Sequence, residues 1–90
     1  MESAKRTITA TATLSYSSIA DGATEELTAA VPGAKLGQVA SVSAPTLEAG
    51  LLASAYVSAA DVVTVRVTNA SGGAVDPADS QAFYLSVDQP

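Results

Sequence analysis

Two aspartates three residues apart, Asp76 and Asp79, and two adjacent glutamates, Glu25 and Glu26, are the side chains here best suited to moving protons. Paired carboxylates do general acid–base work when both reach the same reacting group. Glu25 and Glu26 fail that condition, because neighbours along a strand point to opposite faces. Asp76 and Asp79 flank Pro77 and can converge. However, the 90 residues hold no histidine and no cysteine to complete a nucleophilic or soft-metal site. The pair also misses the ligand spacing and glycine bend of a calcium loop. Loop solubility and turn formation are therefore the expected roles. The chain is expected not to be an enzyme, and no catalytic residue, metal ligand or cofactor is assigned.

Three other features carry chemistry of a binding kind. Thr7, Thr9, Thr11 and Thr13 form a hydroxyl row that suits ice or sugar, although threonine is also simply a good solvent-facing strand former. Asn69-Ala70-Ser71 has the glycosylation pattern, and without a visible signal peptide a plain turn is expected there. Lys5 and Arg6 are half of the four cations in a chain of net charge −5. They read either as a solvated tail or as an electrostatic tether to an acidic neighbour. Arg66 is expected on the polar side of a strand, its stem covering apolar surface. Its head would meet a carboxylate within the sheet or across a subunit boundary.

The elements that must hold these residues are strands. Ile8, Ala10, Ala12 and Leu14 alternate with the threonine row, which predicts a strand over Thr7–Leu14. Asp21-Gly22 is a turn dipeptide, and Leu27, Ala29 and Val31 alternate in a second strand. Pro32-Gly33 predicts a type II turn. Further strands are expected at Gln38–Ala44, Leu51–Val57, Val62–Asn69 and Ala82–Val87, the last with Phe83, Leu85 and Val87 inward. Pro45–Gly50 reads as a connection with one helical turn ending at Gly50, and Ser58–Asp61 as a tight link. No segment keeps a helical apolar period. The expected fold is all-β: a small antiparallel β-sandwich or jelly-roll-like domain over residues 7–90, preceded by an N-terminal arm, Met1–Arg6.

Charged residues are only 14 % of the chain, and the aromatic residues are Phe83, Tyr16, Tyr56 and Tyr84. Apolar burial and the cost of ordering nearly cancel in a chain this short, so a lone subunit should be marginal and oligomerisation is the expected stabiliser. A charge-poor surface points the same way. The acidic balance argues against nucleic acid as a partner, which needs a basic stripe. No apolar run approaches a bilayer span.

Val31-Pro32-Gly33-Ala34 and Gly37 open a longer pattern. It continues through Leu47-Glu48-Ala49-Gly50-Leu51, Tyr56-Val57-Ser58-Ala59-Ala60-Asp61 and Thr64-Val65-Arg66-Val67-Thr68-Asn69. Gly72, Val75-Asp76-Pro77-Ala78 and Phe83 complete it. This pattern, spread over most of Thr7–Val87, resembles a small β module of tailed-phage and prophage virion proteins. It is most similar to the free-standing form used as a capsid decoration, or cement, protein. Similar modules also end phage fibres. The resemblance implies a homotrimer on the outer surface of the virion, bridging major capsid protein subunits and stabilising the shell. On that reading Lys5, Arg6 and Thr7 are candidates for a capsid-docking arm, and Tyr56, Arg66 and Tyr84 for a subunit interface. The alternative is a receptor- or glycan-binding tip of a fibre or spike.

Overall fold

A computed structural model describes residues 6–89 of the chain. Six strands form two three-stranded antiparallel sheets: β1 (Arg6–Leu14), β6 (Gln81–Gln89) and β3 (Val39–Ser43) in one, and β2 (Thr24–Ala30), β5 (Val62–Asn69) and β4 (Leu51–Ala59) in the other. The expected sandwich is present, with two strands fewer than a jelly roll. Only β4 and β5 are consecutive neighbours within a sheet; every other connection crosses between the layers.

The period-two pattern decides which residues fill the gap between layers. The central strands are apolar at alternate positions, so Val63, Val65 and Val67 of β5 lie under Phe83, Leu85 and Val87 of β6, all buried. The edge strands contribute Ile8, Ala10, Ala12 and Leu14 from β1 and Ala53 and Ala55 from β4, which are only partly buried. Tyr16, on the β1–β2 connection, plugs one end of the core. Its ring packs against Phe83 at 5.7 Å between centroids, and its hydroxyl donates to the Val65 carbonyl. Burial pushes the Tyr16 phenol up to about 12.

The turns match the expected chemistry in two of three cases. Val31-Pro32-Gly33-Ala34 closes with the Ala34 amide donating to the Val31 carbonyl at 3.1 Å, and Gly33 has φ 95°, as a type II turn requires. Ala20-Asp21-Gly22-Ala23 closes in the same way at 2.9 Å. The helical turn expected before Gly50 is absent. Two successive reverse turns, Leu47 amide to Ala44 carbonyl and Leu51 amide to Glu48 carbonyl, replace it. The reason is local: Gly50, at φ 86°, reverses the chain there, and its α-carbon lies so near Ser71 that a Cβ would meet the Ser71 Cβ at 2.5 Å.

Strand limits shift slightly from expectation. β1 begins at Arg6, which pairs with Gln89, so the segment read as an arm enters the sheet one residue early. β4 runs on to Ala59, with a bulge between Val57 and Ala59, leaving only Ala60 and Asp61 to turn the hairpin. Asp61 then ties the hairpin to the type II turn. Its carbonyl accepts from Val31, its amide donates to Ala34 and its carboxylate accepts from Gly33. The chain enters β1 and leaves β6 at this same end of the sandwich, while three connections (15–23, 44–50 and 70–80) gather at the other.

Candidate interaction surface

The outward positions of the β1–β6–β3 sheet form one continuous face. The strand registers align them in rows: Thr7, Asp88 and Val39; Thr9, Ser86 and Ser41; Thr11, Tyr84 and Ser43; then Thr13 and Ala82. Asp88 is the only charge among them. Val39 is 64 % exposed and Tyr84 is 49 % exposed, so an aromatic ring and a branched aliphatic stand in water on a field of hydroxyls. Beside Tyr84 the face dips into a shallow groove of about 570 Å³ between Thr9, Thr11, Ser43 and Ser86.

The opposite face has a different character. Its rows are Thr24, Thr68 and Leu52; Glu26, Arg66 and Ser54; Thr28, Thr64 and Tyr56. Arg66 Nε lies 2.9 Å from the Glu26 carboxylate, with both side chains about half exposed. The partner left open by the sequence is therefore a carboxylate of the same sheet, directly opposite in register. Such an exposed pair contributes at most about 1 kcal/mol. Thr24 and Thr68 share a hydrogen bond of 2.8 Å in the neighbouring row.

The candidate interface residues thus fall on two sides of the molecule. Tyr56 and Arg66 share the β2–β5–β4 face, whereas Tyr84 stands on the other. Thr7 is exposed near the end of β1, and its hydroxyl makes a long 3.4 Å contact to Asp88. Arg6 is the first residue of β1 and pairs with Gln89, while Lys5 lies outside the described residues.

The carboxylates separate as their positions dictate. Glu25 turns toward the core side of β2 and accepts hydrogen bonds from the amide and hydroxyl of Ser17. Glu26 turns outward to Arg66. Asp76 and Asp79 are both exposed, on either side of a buried Pro77 that anchors their loop. Among the described residues, no three acidic side chains gather closely enough to hold a metal ion, and no helix is long and apolar enough to cross a membrane.

Two polar residues that sequence reasoning undervalued organise the loop end. Asn69, fully buried, donates from Nδ2 to the carbonyls of Ile19 (2.8 Å) and Gly73 (2.7 Å) and accepts from the Ser71 amide. Its amide nitrogen is thus committed to the fold, and the glycosylation pattern is a turn. Glu48 accepts from the Ala78 amide at 2.9 Å and from Gln81 Nε2 at 2.7 Å, joining two of the gathered connections. The Ala78 hydrogen bond first, and the Gln81 hydrogen bond second, hold the Glu48 carboxyl below its ordinary value.

That shift has a signed consequence. A depressed carboxylate stabilises the fold above its unfolded value and loses the contribution as pH falls through the folded one. Wild-type stability should therefore decline on acidification below about 4.5, the usual value for glutamate. Glu48→Gln should be less stable at neutral pH and show a shallower decline. Urea midpoints across the acid range check this, and parallel curves for the two proteins would contradict it.

No protein-family model matches the chain, and comparisons with curated proteins and with solved structures return no match, so the two sheet faces must speak for themselves.

Proposed function

We propose that this chain is a structural subunit of a virus particle: a decoration protein that self-associates and lies on the outer surface of a capsid lattice, bracing it. The observation that carries the reading is the β1–β6–β3 outer face. It is a field of hydroxyls with one charge, on which Tyr84 and Val39 are exposed. Burying such a face against another protein strands almost no charge, and its hydroxyls can find new partners. The sequence resemblance to phage cement modules names the kind of partner, a major capsid protein, and the number of copies, three. A small core, six of whose thirteen buried apolar residues are valine, supports the same reading, because association adds stability to a domain of this size.

The test is addition of purified protein to empty tailed-phage shells that lack decoration. Saturable binding, with shells that resist heating better, is expected. Ser86→Glu, at the centre of the face, should weaken binding by at least about tenfold, since it buries an unpaired carboxylate. Free of shells, the mass in solution should be a multiple of three subunits. Failure to bind any shell, or binding indifferent to Ser86→Glu, overturns the proposal.

A second reading, a glycan- or receptor-binding tip, is favoured by the groove beside Tyr84, whose ring and surrounding hydroxyls offer a platform for a neutral sugar. Binding on a glycan array that is lost with Tyr84→Ala would select this reading over the first.

A further inference from the structure

We propose that the free edge of β1 is a pairing site for a second copy of this chain, the two β1 strands running antiparallel about Ala10 to join two sheets into one of six strands. A strand at the edge of a sheet presents unpaired amides and carbonyls, and proteins that remain single guard such edges with charge, shortness, bulges or cover. A two-sheet sandwich has four edges, and here three are guarded.

β3 and β4 approach each other closely across the layers, so the sandwich is pinched shut along that side. β3 is also only five residues long, and β4 carries a bulge. The other side, along β1 and β2, is open, with little contact between the two strands. β2 carries Glu25 on its inward side and Glu26 on its outward side, and an inward-pointing charge is a strong deterrent to strand addition. β1 carries one charge, Arg6 at its first residue, and no bulge or cover along the rest of its length. It is nine residues long, its register with β6 runs unbroken from Arg6 to Leu14, and Thr7–Leu14 contains no charge, glycine or proline. Among the described residues, nothing pairs with its outer side.

The same elimination identifies the occupant. Among the described strands only β1 is both long and unguarded, so the one pairing in which both edges are open is β1 with β1 of another copy. The sequence suits that contact. A two-fold ladder centred on Ala10 places Thr7 opposite Thr13, Ile8 opposite Ala12 and Thr9 opposite Thr11 of the second copy. Hydroxyl then meets hydroxyl on the outer face, and methyl meets methyl on the core side. A slip of one residue would set hydroxyls against the core side, so the period of two enforces the register. No like charges are brought together, although the chain as a whole carries −5.

The contact is isologous: the same surface is used by both copies. It cannot close a ring of three, so in a trimeric assembly it joins subunits of different trimers. It also fuses two hydroxyl-rich outer faces, each with the single charge of Asp88, into one of double the width. The inference stands on the strand edges alone and holds whether or not the chain decorates a shell.

Thr9→Cys and Thr11→Cys provide the test, because the chain has no cysteine of its own. Both positions are exposed, and Cα atoms opposed in an antiparallel ladder lie about 4.5–5.5 Å apart, within disulfide reach. Mild oxidation of the two variants mixed should give a disulfide-linked pair in far higher yield than either alone, or than Thr28→Cys on the guarded β2 edge. In a second measurement, amide hydrogen exchange on wild-type protein should show the outward amides of β1 protected at high concentration. That protection should be lost in Thr9→Lys/Thr11→Lys while the remaining strands stay protected. Equal crosslinking in all samples, or outward β1 amides that exchange freely at every concentration, overturns the proposal.

Discussion

Asn69→Asp is expected to strip the fold of most of its stability at room temperature and neutral pH. The substitution leaves the side-chain volume almost unchanged and reverses the hydrogen-bond polarity of one atom at a fully buried, fully committed side chain. In the native fold Asn69 Nδ2 donates to two carbonyls, those of Ile19 and Gly73. A carboxylate oxygen in that place faces two acceptors with nothing to give them, in a site with no exposure to water. An unpaired buried charge costs about 3–5 kcal/mol, and domains of this size sit near the lower end of the usual 5–15 kcal/mol of stability. Acidification should partly rescue the variant, because a protonated carboxyl regains one donor. The sign is opposite to that of Glu48: the folded-state value is raised, so stability is lost as pH rises through it. Asn69→Ala removes the bonds without adding charge and should cost about 2–3 kcal/mol. Urea titrations at a fixed protein concentration decide the matter. A midpoint for Asn69→Asp close to wild type would mean that the loop end contributes little to folding.

Phe83→Ala should be nearly as damaging, by about 3–5 kcal/mol. Phe83 is the largest fully buried side chain, and its ring meets Tyr16 where the β1–β2 connection plugs the core. The surrounding valines and alanines are β-branched or short and sit on fixed strands, so they cannot swing in to fill the void. Phe83→Leu keeps most of the volume and should cost roughly 1.5 kcal/mol or less. Measured midpoints that put the two variants level would show that the void collapses after all.

What could be read from the sequence divides along a physical line. Alternation is a local property, so β5 was legible to the residue, and the inward sets Val63, Val65, Val67 and Phe83, Leu85, Val87 followed from parity. The Pro32-Gly33 turn was legible because Pro presets φ at the first central position and Gly takes the positive φ that the second requires. Sheet membership is not local. Parity says that Tyr84 and Tyr56 point away from the core, but nothing in their neighbourhoods says that one stands on the β6 sheet and the other on the β4 sheet, facing opposite ways. The sequence signal at Asn69 was a modification pattern, whereas its role depends on Ile19, fifty residues away. Gly50 looked like a helix stop, and its closeness to Ser71 is a tertiary fact that no local pattern encodes. Of the candidate surface, the threonine row was visible as a hydroxyl strip. That Ser86, Ser41 and Ser43 widen it into a face depends on β3 crossing to lie beside β6.

Arg6 and Gln89 pair at one end of the sandwich, while the gathered connections hold the other. A polypeptide therefore arrives and departs through adjacent doors. Such a unit can be spliced into an exposed loop of an unrelated host protein with little distortion of either, because the host's two cut ends need not be pulled apart. It can equally carry a passenger at either terminus on the side away from the fastened loops. The hydrogen-bonded seam between first and last strands makes the module portable.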